Sequence, residues 1–133
     1  MASAAVPATE LEHRVSESRE YAFPYEETLH EILPRLHEKQ NSWLAEIDEV
    51  DHLDRRTREL IRLACAAAVR FEPGVQRHAQ LATEAGAGWE QLVSALSLTA
   101  PAFGLLPIVE HLPAARRGYE AAVAGEPPIG GTE

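Results

Sequence analysis

The chain has 133 residues, a formal net charge of −9 and one cysteine, Cys65. That length suits one domain able to bury roughly two-thirds of its unfolded surface, and a lone thiol supplies no intrachain disulfide, CxxC pair or cysteine-rich zinc site. The acidic balance argues against a protein built to grip the phosphate backbone of nucleic acid. No apolar run approaches the ~18 residues of a membrane span, and the start of the chain has no basic segment followed by an apolar one. The expectation is a soluble, cytoplasmic protein with neither a nucleic-acid nor a membrane partner.

Ala, Leu, Glu and Arg favour helix, and no stretch alternates as a strand would. Residues 1–20 are polar and weakly patterned and read as a flexible arm. A helical domain is expected over 21–124, with a disordered Gly/Pro tail over 125–133. Within the domain, Leu29, Ile32, Leu33 and Leu36 recur at helical steps. Pro34 falls inside this run and either kinks the helix or opens a second one through Trp43, Leu44 and Ile47. The acidic stretch from Glu46 to Asp51 reads as a loop-like close.

Asp54 is a good N-cap for a helix over 55–70. Glu72-Pro73 restarts the chain into a helix ending before Gly86, a suitable residue just past a helix end. A further helix is expected from Gly88 to about Thr99. Pro101 and Gly104 interrupt it, and a last helix runs from about Pro107 to Val123 with a possible bend at Pro113. The fold class is therefore all-α, with five or six short helices and no sheet.

Helical wheels at about 100° per residue separate the faces. His78 falls on the apolar stripe of its helix with Val75, Leu81, Ala82 and Ala85, whereas Gln76, Arg77, Gln80, Thr83 and Glu84 take the other side. It reads either as a satisfied core or interface histidine or as a functional one. His111 shares a face with Pro107, Ile108, Ala114, Ala115 and Gly118, small neighbours that suit a pocket or a tight helix crossing. Glu59 groups with Arg55, Arg62 and Arg70, which favours a solvated carboxylate in weak surface pairs. Glu27-Thr-Leu-His30 and Glu49-Val-Asp-His52 are both E-x-x-H, the spacing of di-iron bundles. The second lies in the expected loop and two further inward glutamates are not evident, so no metal site and no cofactor are expected.

The stretch Leu53-Asp-Arg-Arg-Thr-Arg-Glu-Leu-Ile-Arg-Leu-Ala, with Arg77-His-Ala, Ala85-Gly and Glu90-Gln-Leu-Val, resembles the carboxymuconolactone decarboxylase / alkylhydroperoxidase D family over about residues 25–120. The redox branch of that family carries E-x11-C-x2-C-x3-H. On this chain the frame puts Glu59 and His78 at the glutamate and histidine, and Phe71 and Gly74 at the cysteines. A thiol peroxidase needs a thiolate and a resolving partner at those positions, so the chain resembles the cysteine-lacking, decarboxylase side. The resemblance implies an alkylhydroperoxidase D-like helical bundle that assembles through helix faces as a homotrimer or homohexamer. It also implies a cofactor-free lyase acting on a small anionic, oxygenated substrate, by lactone decarboxylation or a related isomerisation or cyclisation. Glu59 and His78 would form a proton relay, with His111 as a second base and Arg55, Arg62 and Phe71 as substrate-binding residues. The rival expectation is a non-catalytic helical oligomer of the same fold, serving as a binding or scaffold module.

Overall fold

A computed structural model describes residues 24–50 and 52–128; the expected N-terminal arm and the last five residues lie outside them. Among the described residues there are helices and no strand. Seven helical segments follow in order: α1 (Pro24–Ile32), α2 (Pro34–Val50), α3 (Arg55–Ala68), α4 (Glu72–Glu84), α5 (Trp89–Ser97), α6 (Ala100–Phe103) and α7 (Leu106–Val123). The described residues divide into two compact units, one up to His52 and the other over 53–128. The helical domain expected over 21–124 thus has parts in both.

In the first unit Pro34 opens a second helix: it stands at the first position of α2, where its missing N–H has no intrahelical partner to lose. Hydrogen bonds close both helix ends at this joint, Leu33 N–H to the Leu29 carbonyl and His37 N–H to the Leu33 carbonyl. Side chains join α1 to α2 across the joint. Gln40 Nε2 donates to Tyr25 Oη at 3.4 Å, Glu26 Oε1 lies 3.9 Å from His37 Nε2, and the His30 and His37 rings meet edge to face with centroids 5.3 Å apart. The acidic stretch expected as a loop is helical as far as Val50. It lacks glycine and proline, so nothing in it stops the helix.

The second unit is organised by local capping chemistry. Asp54 Oδ1 accepts from Thr57 N–H at 2.7 Å and starts α3. The end of α3 is a Schellman turn: Phe71 N–H reaches the Ala66 carbonyl and Arg70 N–H the Ala67 carbonyl. Arg70 takes the left-handed conformation there, φ 59°, at a position that usually falls to glycine. The same motif closes α4, with Gly86 at φ 104° supplying the expected glycine. Gln91 Oε1 accepts from the Gly88 N–H at 3.2 Å at the head of α5.

The core gathers Leu63, Ala66 and Ala67 of α3, Val75, Ala79 and Ala82 of α4, Leu92 and Leu96 of α5, and Ala114 and Ala115 of α7. Burial of each Leu or Val side chain contributes ~1.5–3 kcal/mol. α3 and α4 form an antiparallel hairpin, and α4 also packs along α7. α4 and α7 run in the same direction. Arg70 pairs with Glu110 at 3.5 Å, Glu72 with Arg117 at 2.6 Å, and Gln80 Nε2 donates to the Glu126 carbonyl at 2.7 Å. Contact is closest at Gly118, where an added Cβ would stand 2.2 Å from the Gln76 carbonyl oxygen and 3.0 Å from the Ala79 Cβ.

Being packed on two sides corrects the expected polar face of α4. Arg77 and Gln80 are buried, Gln80 to 1 % exposure, although the wheel put them opposite the apolar stripe. Gln80 tolerates burial because the Glu126 carbonyl satisfies it. That bond also ties down the beginning of the segment expected as a disordered tail, in which Pro128 is buried.

Candidate functional site

Glu59 lies one turn into α3, and His78 midway along α4. Because the two helices are antiparallel, nineteen residues of sequence separation collapse to one level of the hairpin. His78 Nδ1 and Glu59 Oε2 are 2.7 Å apart. The other carboxylate oxygen, Oε1, accepts from Arg62 NH1 at 3.2 Å, three residues along the same helix. Glu59 is only 6 % exposed, so the expectation of a solvated surface carboxylate is overturned. The wheel grouped Glu59 with Arg55, Arg62 and Arg70 but passed over Leu63, Ala66 and Ala67, which share its face and make it the buried face of α3.

The electrostatics follow from the packing. Burial raises the Glu59 carboxyl, but hydrogen bonding and charge from His78, then charge and hydrogen bonding from Arg62, outweigh it. The net position is below the ordinary carboxylate range. Glu59 is therefore an anion at neutral pH, and an anion at this distance accepts the Nδ1 proton. The imidazole is left with Nε2 as its exchangeable end, on a side chain that is 20 % exposed.

The remaining candidates are spread along the hairpin. Arg55, one turn before Glu59, is exposed and stands 3.9 Å from Glu84 at the end of α4. Arg62 pairs with Glu59. Phe71 stands at the opposite end, about 10 Å of helix from His78, with its ring over Gly74. A Cβ on Gly74 would fall 2.8 Å from Phe71 Cδ1 and 3.1 Å from the Ala66 Cβ. The two residues in the cysteine frame thus fit each other, with the ring filling the space that the missing side chain leaves. Cys65 is exposed on α3. His111 lies on the buried face of α7 with Pro107, Ala114, Ala115 and Gly118, as its wheel indicated. The neighbouring Arg70–Glu110 pair sets it near the level of the α3–α4 turn. Neither of its ring nitrogens has a hydrogen-bond partner among the described residues.

Among the described residues, no group of three or more His, Cys, Asp or Glu side chains is arranged to hold a metal ion, and no helix is long and apolar enough to cross a membrane. The second unit thus holds a buried carboxylate–imidazole pair across one helical hairpin, with Phe71 and Gly74 in the cysteine frame. The sequence profile of the carboxymuconolactone decarboxylase family matches residues 36–117, a span that contains Glu59, Arg62 and His78. The chain belongs to that family. No curated protein and no solved structure gave a significant match.

Proposed function

We propose that this chain is a cofactor-free acid–base enzyme in which Glu59 and His78 form a proton relay. The substrate is a small, oxygenated, anionic molecule, and decarboxylation of a lactone is the first reaction of this class to test. The observation that carries the reading is the 2.7 Å contact between a buried, ionised carboxylate and an imidazole whose far nitrogen remains to exchange protons. As the C–CO₂ bond breaks, its electron pair passes into the conjugated carbonyl of the substrate. His78, protonated at both nitrogens, delivers the Nε2 proton to the resulting dienolate carbon and takes another from water. Glu59 keeps Nδ1–H oriented and balances the imidazolium charge. Arg55, exposed beside the pair on α3, holds the substrate carboxylate. Thiol peroxidase chemistry is not part of this reading, since Phe71 and Gly74 supply no sulfur.

The reading includes self-association into a trimer or hexamer. Leu98, Phe103, Leu105, Leu106 and Val109 are all more than half exposed within one short stretch around α6, and such a concentration of apolar side chains marks an interaction surface. Static light scattering on the purified chain measures the assembly directly.

The deciding experiment follows CO₂ release from a γ-carboxymuconolactone by the parent, Glu59→Gln and His78→Ala. The relay predicts losses of at least ~10²-fold in both variants; full turnover in both would remove it. A second reading, a non-catalytic helical module, is favoured by the way Phe71 packs the cysteine-frame position against Gly74. It predicts no turnover by the parent and unchanged assembly in both variants.

A further inference from the structure

We propose that Arg62 is the positioning residue of the Glu59–His78 pair: by holding the carboxylate oxygen that His78 leaves open, it sets how tightly Glu59 keeps the proton of the imidazole. This rests on the acid–base reading of the same site and assigns Arg62 a task other than substrate binding.

The geometry leaves little choice of role. A carboxylate has two oxygens, and here each has its own partner: Oε2 faces His78 Nδ1 at 2.7 Å and Oε1 faces Arg62 NH1 at 3.2 Å. Arg62 and Glu59 are three residues apart on α3, so they share a face of one helix, and their contact is set by the helix itself. The Arg62 side chain is 32 % exposed while that of Glu59 is 8 % exposed. Arg62 is thus the more exposed partner, and it holds the carboxylate oxygen that does not face His78.

The chemical consequence is directional. A buried carboxylate without a cation draws an adjacent imidazole strongly toward imidazolium, because it is the only compensation available. Such a histidine holds its proton and is a poor acid. A guanidinium on the second oxygen cancels part of that pull and lets the imidazole pass between its two states as a relay requires. A cation in this place also repels a charge on His78 directly, in the same direction. Arg62 thus acts through Glu59 and touches neither the exchanging nitrogen nor the substrate.

The test needs no substrate. Imidazole ¹⁵N and ¹H resonances of His78 are followed against pH in the full chain for the parent, Arg62→Gln, Arg62→Lys and Glu59→Gln. Arg58 and Arg77, the neighbouring cations on the two helices, are kept throughout. Arg62→Gln is expected to raise the His78 titration midpoint by ~0.5 pH units or more, whereas Arg62→Lys, which keeps the charge, stays closer to the parent. An unmoved or lowered midpoint in Arg62→Gln overturns the proposal, as does an equal rise in Arg62→Lys. Arg62→Ala serves as a second neutral variant and must agree with Arg62→Gln. Glu59→Gln keeps the two failures apart. If it leaves the midpoint of His78 unmoved, the pair itself is wrong. If it lowers the midpoint while Arg62→Gln raises nothing, the role of Arg62 alone is wrong.

Discussion

His78 and His111 both stand on helix faces that pack into the same unit, yet their ring nitrogens end differently. His78 meets an ionised carboxylate at 2.7 Å and keeps one nitrogen toward solvent. His111 is 5 % exposed with neither nitrogen partnered among the described residues. The first arrangement gives a part-buried ring nitrogen a charged partner. The second leaves polar atoms in the core at a cost of ~1–3 kcal/mol. Burial of a histidine is therefore no guide to function by itself; what separates the two is whether the facing helix presents a charge.

The largest expected effect breaks the frame on which both residues depend. Gly118→Ala would drive a methyl into the Gln76 carbonyl, 2.2 Å from the ideal Cβ position, and should destabilise the fold by about 3 kcal/mol through forced separation of α4 and α7. Urea denaturation measures it; a loss under ~1 kcal/mol would mean that the contact relaxes easily. Next, Glu59→Gln keeps the shape of the pair but removes its charge, and should cost about 1–2 kcal/mol.

The charge also gives a pH signature. The folded-state value of Glu59 is lowered from 4.5, so its contribution is fully present above that value and is lost as pH falls through the folded-state value. The stability gap between the parent and Glu59→Gln should accordingly close as pH falls below 4.5. A gap that widens in acid would contradict the sign. His111→Leu tests the other half of the comparison. Removing an unpartnered polar ring should leave stability unchanged or raise it by up to ~1 kcal/mol, and a loss above ~2 kcal/mol would show that His111 is held. Smallest is Arg70→Gly, which relieves a left-handed arginine (φ 59°) and loses only an exposed ion pair. A rise of about 0.5–1 kcal/mol is expected from thermal denaturation.

Much of the fold was legible because its signals are local. Asp54, Pro34, Glu72-Pro73 and Gly86 each announce a helix start or stop through the chemistry of one or two residues, and each does so in the structure. Arg70 carries no such signal, since its turn is closed by backbone bonds that a non-glycine residue tolerates at a cost. Burial was less legible. Arg77 and Gln80 look solvated on a wheel that knows only one apolar stripe, but α4 is packed on two sides, and the carbonyl that satisfies Gln80 comes from Glu126, far along the chain. Glu59 was misread for another reason: its arginine neighbours on the wheel drew attention from Leu63, Ala66 and Ala67, which share its face and bury it. Its nineteen-residue separation from His78, matched through the family resemblance, pointed to the pair. The hairpin supplies the contact.

In the proposed relay Glu59 and His78 act as one unit on the proton. A double-variant cycle on lactone turnover addresses it most directly, with Glu59→Gln, His78→Ala and the two combined. Groups that work as a unit lose nearly everything at the first substitution, so the double variant is expected to be no slower than His78→Ala alone. Losses that multiply, or a double variant that retains full turnover, would contradict it.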